Sequence, residues 1–383
     1  MTVLHVSTAT GLRGGEQQAL YLLAELRERG LEQVLACPRD SALWQRAAGL
    51  GVATHALPAR RILRWRSLRG WVRAWGRSHG GAEARGALVA HAHDGHAHTC
   101  LWLANLLAAG GPALPFVVSR RVARAPRRPR WPWGKYAHPA LRSLLCVSRA
   151  VAALHREGLG ARTDIRVVYD AVAPDGGGDL ATGASVDTER ARRALRDLLG
   201  VSPDTPVVGT VAALTPEKDA PVFVEACARV ARALPGVHFV HVGGGTARQR
   251  AGLLALAGAN GLGTRLHALG FRDDALRLLG GFDVFAFASR WEGLGSSLLQ
   301  AQLRGVPAVS TRAGGTPEVI EHGRTGLLVD VGDAAGLARG VERLLREPAL
   351  ARRLAAAGRA HARAFSVARM AADTLDAYEH ATR

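Results

Sequence analysis

Glu292 stands three residues after Ser289, at the mouth of a glycine turn, Gly293-Leu294-Gly295, and a serine pair and an apolar run follow it. Residue types in this order suit an anion lying beside a hydroxylated group. The two glycines let backbone approach a bulky ligand closely, and the open N–H groups of a first helical turn attract phosphate. Ser296 and Ser297 offer caps for that turn. A carboxylate would repel phosphate, so Glu292 is expected to accept hydrogen bonds from neighbouring hydroxyls. A sugar joined to a diphosphate meets both demands. The competing interpretation is an ordinary strand, turn and helix whose Glu292 is merely solvated, since short glycine motifs recur by chance.

Other residues point to the same class of ligand. Lys218, in AALTPEKDA, follows the apolar run 207–211 and precedes a helix expected at 221–233, where a lysine meets phosphate as a point charge. Gly243-Gly244-Gly245 ends the next strand in a second close-approach turn. Gly14 and Gly15 end the loop after the first strand, 3–6, without the G-x-G-x-x-G fingerprint of a dinucleotide site. His91, His93, Asp94, His96 and His98 crowd the end of the strand 87–91. With no paired ligand motif elsewhere, the expected role is a polar active-site rim, and no metal is expected.

The elements that must position these groups are legible as alternation. Short apolar strands recur between amphipathic helices along all 383 residues, long enough for about two α/β domains with parallel sheets. The segment 173–186, APDGGGDLATGASV, is the expected linker. Fifty Lys and Arg against 32 Asp and Glu give a formal charge of +18, which favours anionic partners: nucleic acid, anionic lipid or phosphorylated small molecules. Two basic stretches interleave tryptophan with arginine. One, 60–77, has helical spacing and suits an anionic lipid surface; its alternative is a helix with tryptophans in the core and arginines in water. The other, 120–135, is broken by proline and suits lipid head groups or single-stranded nucleic acid. Four dispersed cysteines are expected to be reduced and buried. The first residues behave as a strand with no basic leader, and 100–118 is too broken by Asn, Gly and Pro for a membrane span.

The second half resembles the nucleotide-binding half of the retaining glycosyltransferases of family 4. The resemblance rests on GTVAALTPEKD at 209–219, HVGGG at 241–245, LGFRDD at 269–274 and the specific block at 289–329; in the first half it rests on GGEQQAL at 14–20, VAHAHD at 89–94 and VVYDAV at 167–172. It implies a GT-B fold: α/β, two facing Rossmann-like domains with parallel sheets and a C-terminal helix crossing back to the first. The implied domains are 1–172, on the acceptor side, with 365–383 packing back on it, and 173–364, which binds the nucleotide sugar. It also implies that Lys218 contacts the donor diphosphate, that Glu292 holds hydroxyls of the transferred sugar, and that Gly14, Gly15, Gly244, Phe271, Arg272, Gly293, Leu294, Gly295 and Ser296 line the donor. His93 and Asp94 fall on the acceptor side. Gln300 stands where the family carries a ribose-gripping glutamate, Ala213 where it often carries an arginine, and Ser119-Arg120 near a customary histidine, which makes Arg120 a candidate catalytic cation. The implied reaction moves a sugar from a nucleotide-diphosphate donor to a glycan or glycolipid acceptor, of the lipopolysaccharide or cell-envelope type, with retention and without a cofactor or metal. The expected location is cytoplasmic, peripheral on the inner face of the membrane. The alternatives are a basic nucleic-acid-binding protein and a GT-B sugar-nucleotide epimerase or hydrolase.

Overall fold

The computed structural model describes residues 1–12, 14–79, 88–107, 113–122, 133–159, 163–173 and 188–383. Most of the expected linker, and the centre of the second basic stretch, lie outside the described residues. The chain divides into two compact units, Met1–Ala171 with Val367–Arg383, and Val172–Ser366.

The first unit is built on seven strands: β1 Thr2–Val6, β2 Glu32–Pro38, β3 Ala53–Leu57, β4 Leu88–Ala92, β5 Phe116–Arg120, β6 Leu141–Cys146 and β7 Asp164–Val167. All pair in parallel, in the order β3-β2-β1-β4-β5-β6-β7. Every residue of β1 and of β4 is buried, as both faces of a helix-covered parallel sheet require. The last helix, Val367–Thr382, buries Met370, Ala371, Thr374 and Tyr378, and packs against the helix Gly14–Glu28 and against β4, β5 and β6. Strand β6 was not anticipated. Its LRSLLC buries every residue except Arg142, so the short run carries little alternation and follows directly on the arginine- and proline-rich stretch.

The helix Arg64–Ser78 corrects the expectation of tryptophans presented to lipid. Trp75 is buried and stacks on both Trp71 and His79, while Arg66, Arg73 and Arg77 are exposed. Arg64 is itself buried and donates to the Pro58 carbonyl. The apolar stripe therefore faces the protein, and Arg66, Arg73 and Arg77 face water. No helix among the described residues is long and apolar enough to cross a membrane.

The second unit has six strands: β8 Val207–Val211, β9 His238–Val242, β10 Leu266–Gly270, β11 Val284–Phe287, β12 Ala308–Thr311 and β13 Leu327–Val329. These too are all parallel, in the order β10-β9-β8-β11-β12-β13. Phe223, Phe239, Val284 and Leu337 belong to its core. A Cβ on Gly209, inside β8, would lie 2.3 Å from the buried Phe282 ring, so this strand position requires glycine.

Each sheet reverses its direction of winding once, between β1 and β4 and between β8 and β11. Open parallel sheets bind ligands beyond the carboxyl ends of the strands at such switch points. Ser7 and Thr8 follow β1 and His93 and Asp94 follow β4; Lys218 follows β8 and Glu292 follows β11.

Candidate active site

In the second unit two loops, after β8 and β11, are tied together. Lys218 closes a short 3₁₀ turn, and Asp219 after it takes a left-handed backbone (φ 46°), the one described non-glycine residue with positive φ. The Asp219 carboxylate is buried and accepts from Arg290 Nε, while the Arg290 backbone N–H donates to the Glu217 carbonyl at 2.8 Å. This strap sets Lys218 against Glu292: Lys218 Nζ donates to Glu292 Oε2 and lies 5.1 Å from the centre of the Phe287 ring. Ser289 Oγ donates to the same carboxylate oxygen at 3.2 Å. Glu292, expected to meet hydroxyls, thus holds a cation and a hydroxyl of the protein itself.

Beside this pair the helix Ser296–Leu303 begins. The two serines do not cap it. Gly295 is the N-cap, at φ 102°, and no side chain accepts from the first turn. The left-handed conformation favours glycine, and a Cβ there would also stand 3.6 Å from Glu292 Cγ. Ser296 is already helical, so the N–H groups of the first turn stay open to an anion. Gly293 and Leu294 are buried beneath the turn.

Gln300, further along this helix, is buried, and its Oε1 accepts from the buried Arg304, four residues on. The triple-glycine turn serves packing first. A Cβ on Gly243 would lie 1.7 Å from the Ala212 carbonyl oxygen, and one on Gly244 would lie 3.8 Å from Phe271 Cβ. The Phe271 side chain is 69% exposed, and Arg272 forms a two-toothed ion pair with Asp274.

In the first unit the histidine cluster separates by role. Asp94 is the N-cap of the helix Gly95–Leu106, accepting from the backbone of His96 and Ala97, and it also ties down the β1 loop through Thr8 N–H and Thr8 Oγ1. His91 lies in the core between Ser119 and Tyr378, at 2.8 and 2.6 Å from its two ring nitrogens. His93 Nε2 is 3.0 Å from His5 Nδ1. Burial pushes the His5 imidazole down to about 3, a nearby Gln33 opposing, and drives His91 and His93 well below the usual histidine range, aided in both by His5 and Arg121 and in His93 by His91 as well. These three imidazoles can each offer a nitrogen within 4.8 Å of the others, a spacing open to a cation, but His91 has a hydroxyl partner at each nitrogen.

Gly14 and Gly15 are the first residues of the helix Gly14–Glu28, not the end of a loop. Arg120 turns to His155 Nε2 at 3.2 Å. Its neighbour Arg121, which sequence reasoning passed over, pairs with Asp170 at 2.9 Å and reaches the His93 carbonyl and the space over Gly15. Ser289, Asp219, Arg290 and Arg304 were also missed. Ser289 and Arg290 adjoin Glu292 in sequence, but their partners lie far along the chain or are read only from packing.

Two family models match. Residues 12–175 match Glycosyltransferase Family 4, and residues 191–361 match Glycosyl transferases group 1. The lipopolysaccharide core biosynthesis glycosyltransferase LpsE of Rhizobium meliloti is 34% identical over 200 residues, 52% of this chain and 53% of that protein. The chain spans about half the length of the curated relatives it matches. Among solved structures, a glycosyltransferase from Rickettsia africae aligns over 99% of this chain and 98% of its own, with TM-score 0.80 and 18% identity. Anabaena Alr3699/HepE in complex with UDP aligns over 98% and 99%, with TM-score 0.79 and 20% identity. At such identities the likeness is one of fold, and that fold is GT-B. With both halves matched in order, the chain belongs to the glycosyltransferases that join a Family 4 domain to a group 1 domain.

Proposed function

We propose that this protein is a retaining glycosyltransferase that moves a sugar from a nucleotide-diphosphate donor to a hydroxyl of a lipid-linked or cell-envelope glycan. The observation that carries the reading is the Lys218–Glu292 pair beside an uncapped helix N-terminus, at the carboxyl ends of the two switch-point strands. Lys218 and the first-turn N–H groups take the charge of the diphosphate, so Lys218 exchanges a carboxylate for a phosphate when donor binds. Glu292, released, accepts hydrogen bonds from the sugar hydroxyls. The bond from the anomeric carbon to the phosphate oxygen breaks, a bond to the acceptor oxygen forms on the same face, and the acceptor proton leaves with the departing diphosphate. Positive charge aimed at that leaving group supplies the rate enhancement and needs no resident metal. The likeness to LpsE, a lipopolysaccharide core biosynthesis glycosyltransferase, and to HepE, which holds UDP, supports the acceptor and donor classes. The exposed arginines of the helix Arg64–Ser78 support an anionic membrane surface as the meeting place.

A thermal-shift screen against UDP-, GDP- and ADP-sugars identifies the donor, because ligand bound to the native state raises the melting temperature. With that donor, Lys218→Ala and Glu292→Ala are expected to abolish turnover while circular dichroism stays native. Wild-type rates in both variants would sink the proposal.

A further inference from the structure

Of the 50 Lys and Arg residues only two are lysines: Lys218, in the site above, and Lys135, in the first unit. Lys135 Nζ donates to the Gly95 carbonyl at 3.4 Å and to Thr99 Oγ1 at 3.3 Å, which leaves one of its three N–H groups unused. Arg120 converges on the same residue, its Nη1 standing 3.8 Å from where a Cβ on Gly95 would lie. His155 sets that pose. This buried imidazole donates from Nδ1 to the Val151 carbonyl, so its Nε2 is an acceptor, and it takes the Arg120 Nε–H at 3.2 Å. The two terminal nitrogens of the guanidinium have no hydrogen-bond partner among the described residues.

Two half-buried cations brought together disfavour one another, and among the described residues neither has a carboxylate within ion-pair distance. Burial, with Arg120 adding to it and Asp94 opposing, lowers the Lys135 ammonium to about 8. Asp94 is already satisfied by Ser7, Thr8 and the backbone N–H groups of His96 and Ala97. The stretch 121–134 contains no acidic residue that could serve instead. A guanidinium anchored at Nε with its fork open, beside an ammonium, fits a tetrahedral dianion.

We propose that Arg120 and Lys135 form a phosphate-binding site, positioned by His155, and that it holds a phosphoryl group carried by the acceptor. Two cations match the charge of a phosphate monoester, whereas a carboxylate would leave one of them uncompensated. The site stands on the first unit alone; its assignment to the acceptor rests on the transfer reading.

The test uses the full chain, whose two lysines can be followed separately by acetylating them with N-hydroxysuccinimidyl acetate and reading each rate by peptide mass spectrometry. Methyl phosphate is expected to slow the acetylation of Lys135 in a saturable way, and acetate at equal ionic strength is not. Arg120→Gln keeps an N–H where Nε stood, and so the bond to His155, but loses the fork; the dissociation constant of methyl phosphate at Lys135 should rise by about tenfold or more. A Lys135 that methyl phosphate does not protect, equal protection by acetate, or an unchanged constant in Arg120→Gln would each overturn the inference. Should Arg120→Gln fail to fold, the wild type decides through the pH dependence of the Lys135 rate, since a bound anion raises the ammonium's midpoint and an unmoved midpoint overturns the site. The donor reading fails separately. UDP-, GDP- and ADP-sugars are tested for slowing Lys218 while leaving Lys135 unaffected. If none slows Lys218, the nucleotide-sugar reading falls and the acceptor assignment with it, while methyl phosphate still decides the site. A donor that protects Lys135 would place the site on the leaving group and overturn the acceptor assignment.

Discussion

Asp219 gives its buried carboxylate to the guanidinium of Arg290, and so joins the residue after Lys218 to the residue two before Glu292. The left-handed backbone of Asp219 costs about 1 kcal/mol, and half-exposed Arg290 returns about 1 kcal/mol or less through the pair. Asp219→Gly removes both, so its urea midpoint is expected to stay near the wild-type value. Turnover is another matter, because Lys218 loses the strap that sets it against Glu292. A fall of about tenfold in kcat is expected. Unchanged kcat would show that the strap does not position the lysine.

The strands, the glycine turn and Lys218 could be read from the chain because each is a local pattern. What could not be read is partnership at a distance. Lys218 and Glu292 are 74 residues apart, so their contact follows from the sheet order that puts β8 beside β11. The same holds for His5 and His93, 88 residues apart on β1 and just after β4, which turned a histidine-rich turn into a core cluster. The serine pair misled because a glycine in the left-handed region starts the helix one residue earlier. The tryptophans of the helix Arg64–Ser78 misled because helical spacing shows that a stripe exists but not which way it faces.

Gly209 and Gly252 should respond oppositely to alanine. Gly209→Ala forces a methyl to within 2.3 Å of the Phe282 ring, which is buried and has no room to give. A loss of about 1–3 kcal/mol or more is expected from such overpacking in the core. Gly252 lies exposed in the helix Ala247–Ala259 with nothing within 4 Å of an added Cβ, so alanine there should add about 1 kcal/mol through helix propensity. Denaturant melts of the two variants check both signs at once.

Acid should weaken the first unit. His5 is held neutral by burial, its value lowered from 6.5 to about 3, and His91 and His93 are lowered in the same direction. Between pH 6.5 and 3 the unfolded chain binds protons that the folded chain refuses, so stability rises with pH across that window. It is complete above about pH 6.5 and is lost progressively below it. Melting temperatures measured from pH 7.5 down to pH 4.5 are expected to fall, and His5→Gln, which cannot titrate, should flatten that slope. An equal slope in the variant would mean that other groups carry the acid sensitivity.

Electrostatic attraction should draw this protein to anionic vesicles through the helix Arg64–Ser78. Its exposed Arg66, Arg73 and Arg77 each contribute about 1 kcal/mol near an anionic surface. Changing all three to serine should therefore reduce binding to phosphatidylglycerol vesicles by about two orders of magnitude, whereas neutral phosphatidylcholine vesicles should bind neither protein. Salt should reverse the wild-type association, since the attraction is screened within about 8 Å at physiological ionic strength. Trp75→Phe separates this mechanism from insertion. Because Trp75 is buried against Trp71 and His79, its loss should lower stability without altering flotation. A wild type that floats equally with anionic and neutral vesicles would remove the membrane from the proposal and leave the transfer chemistry as it stands.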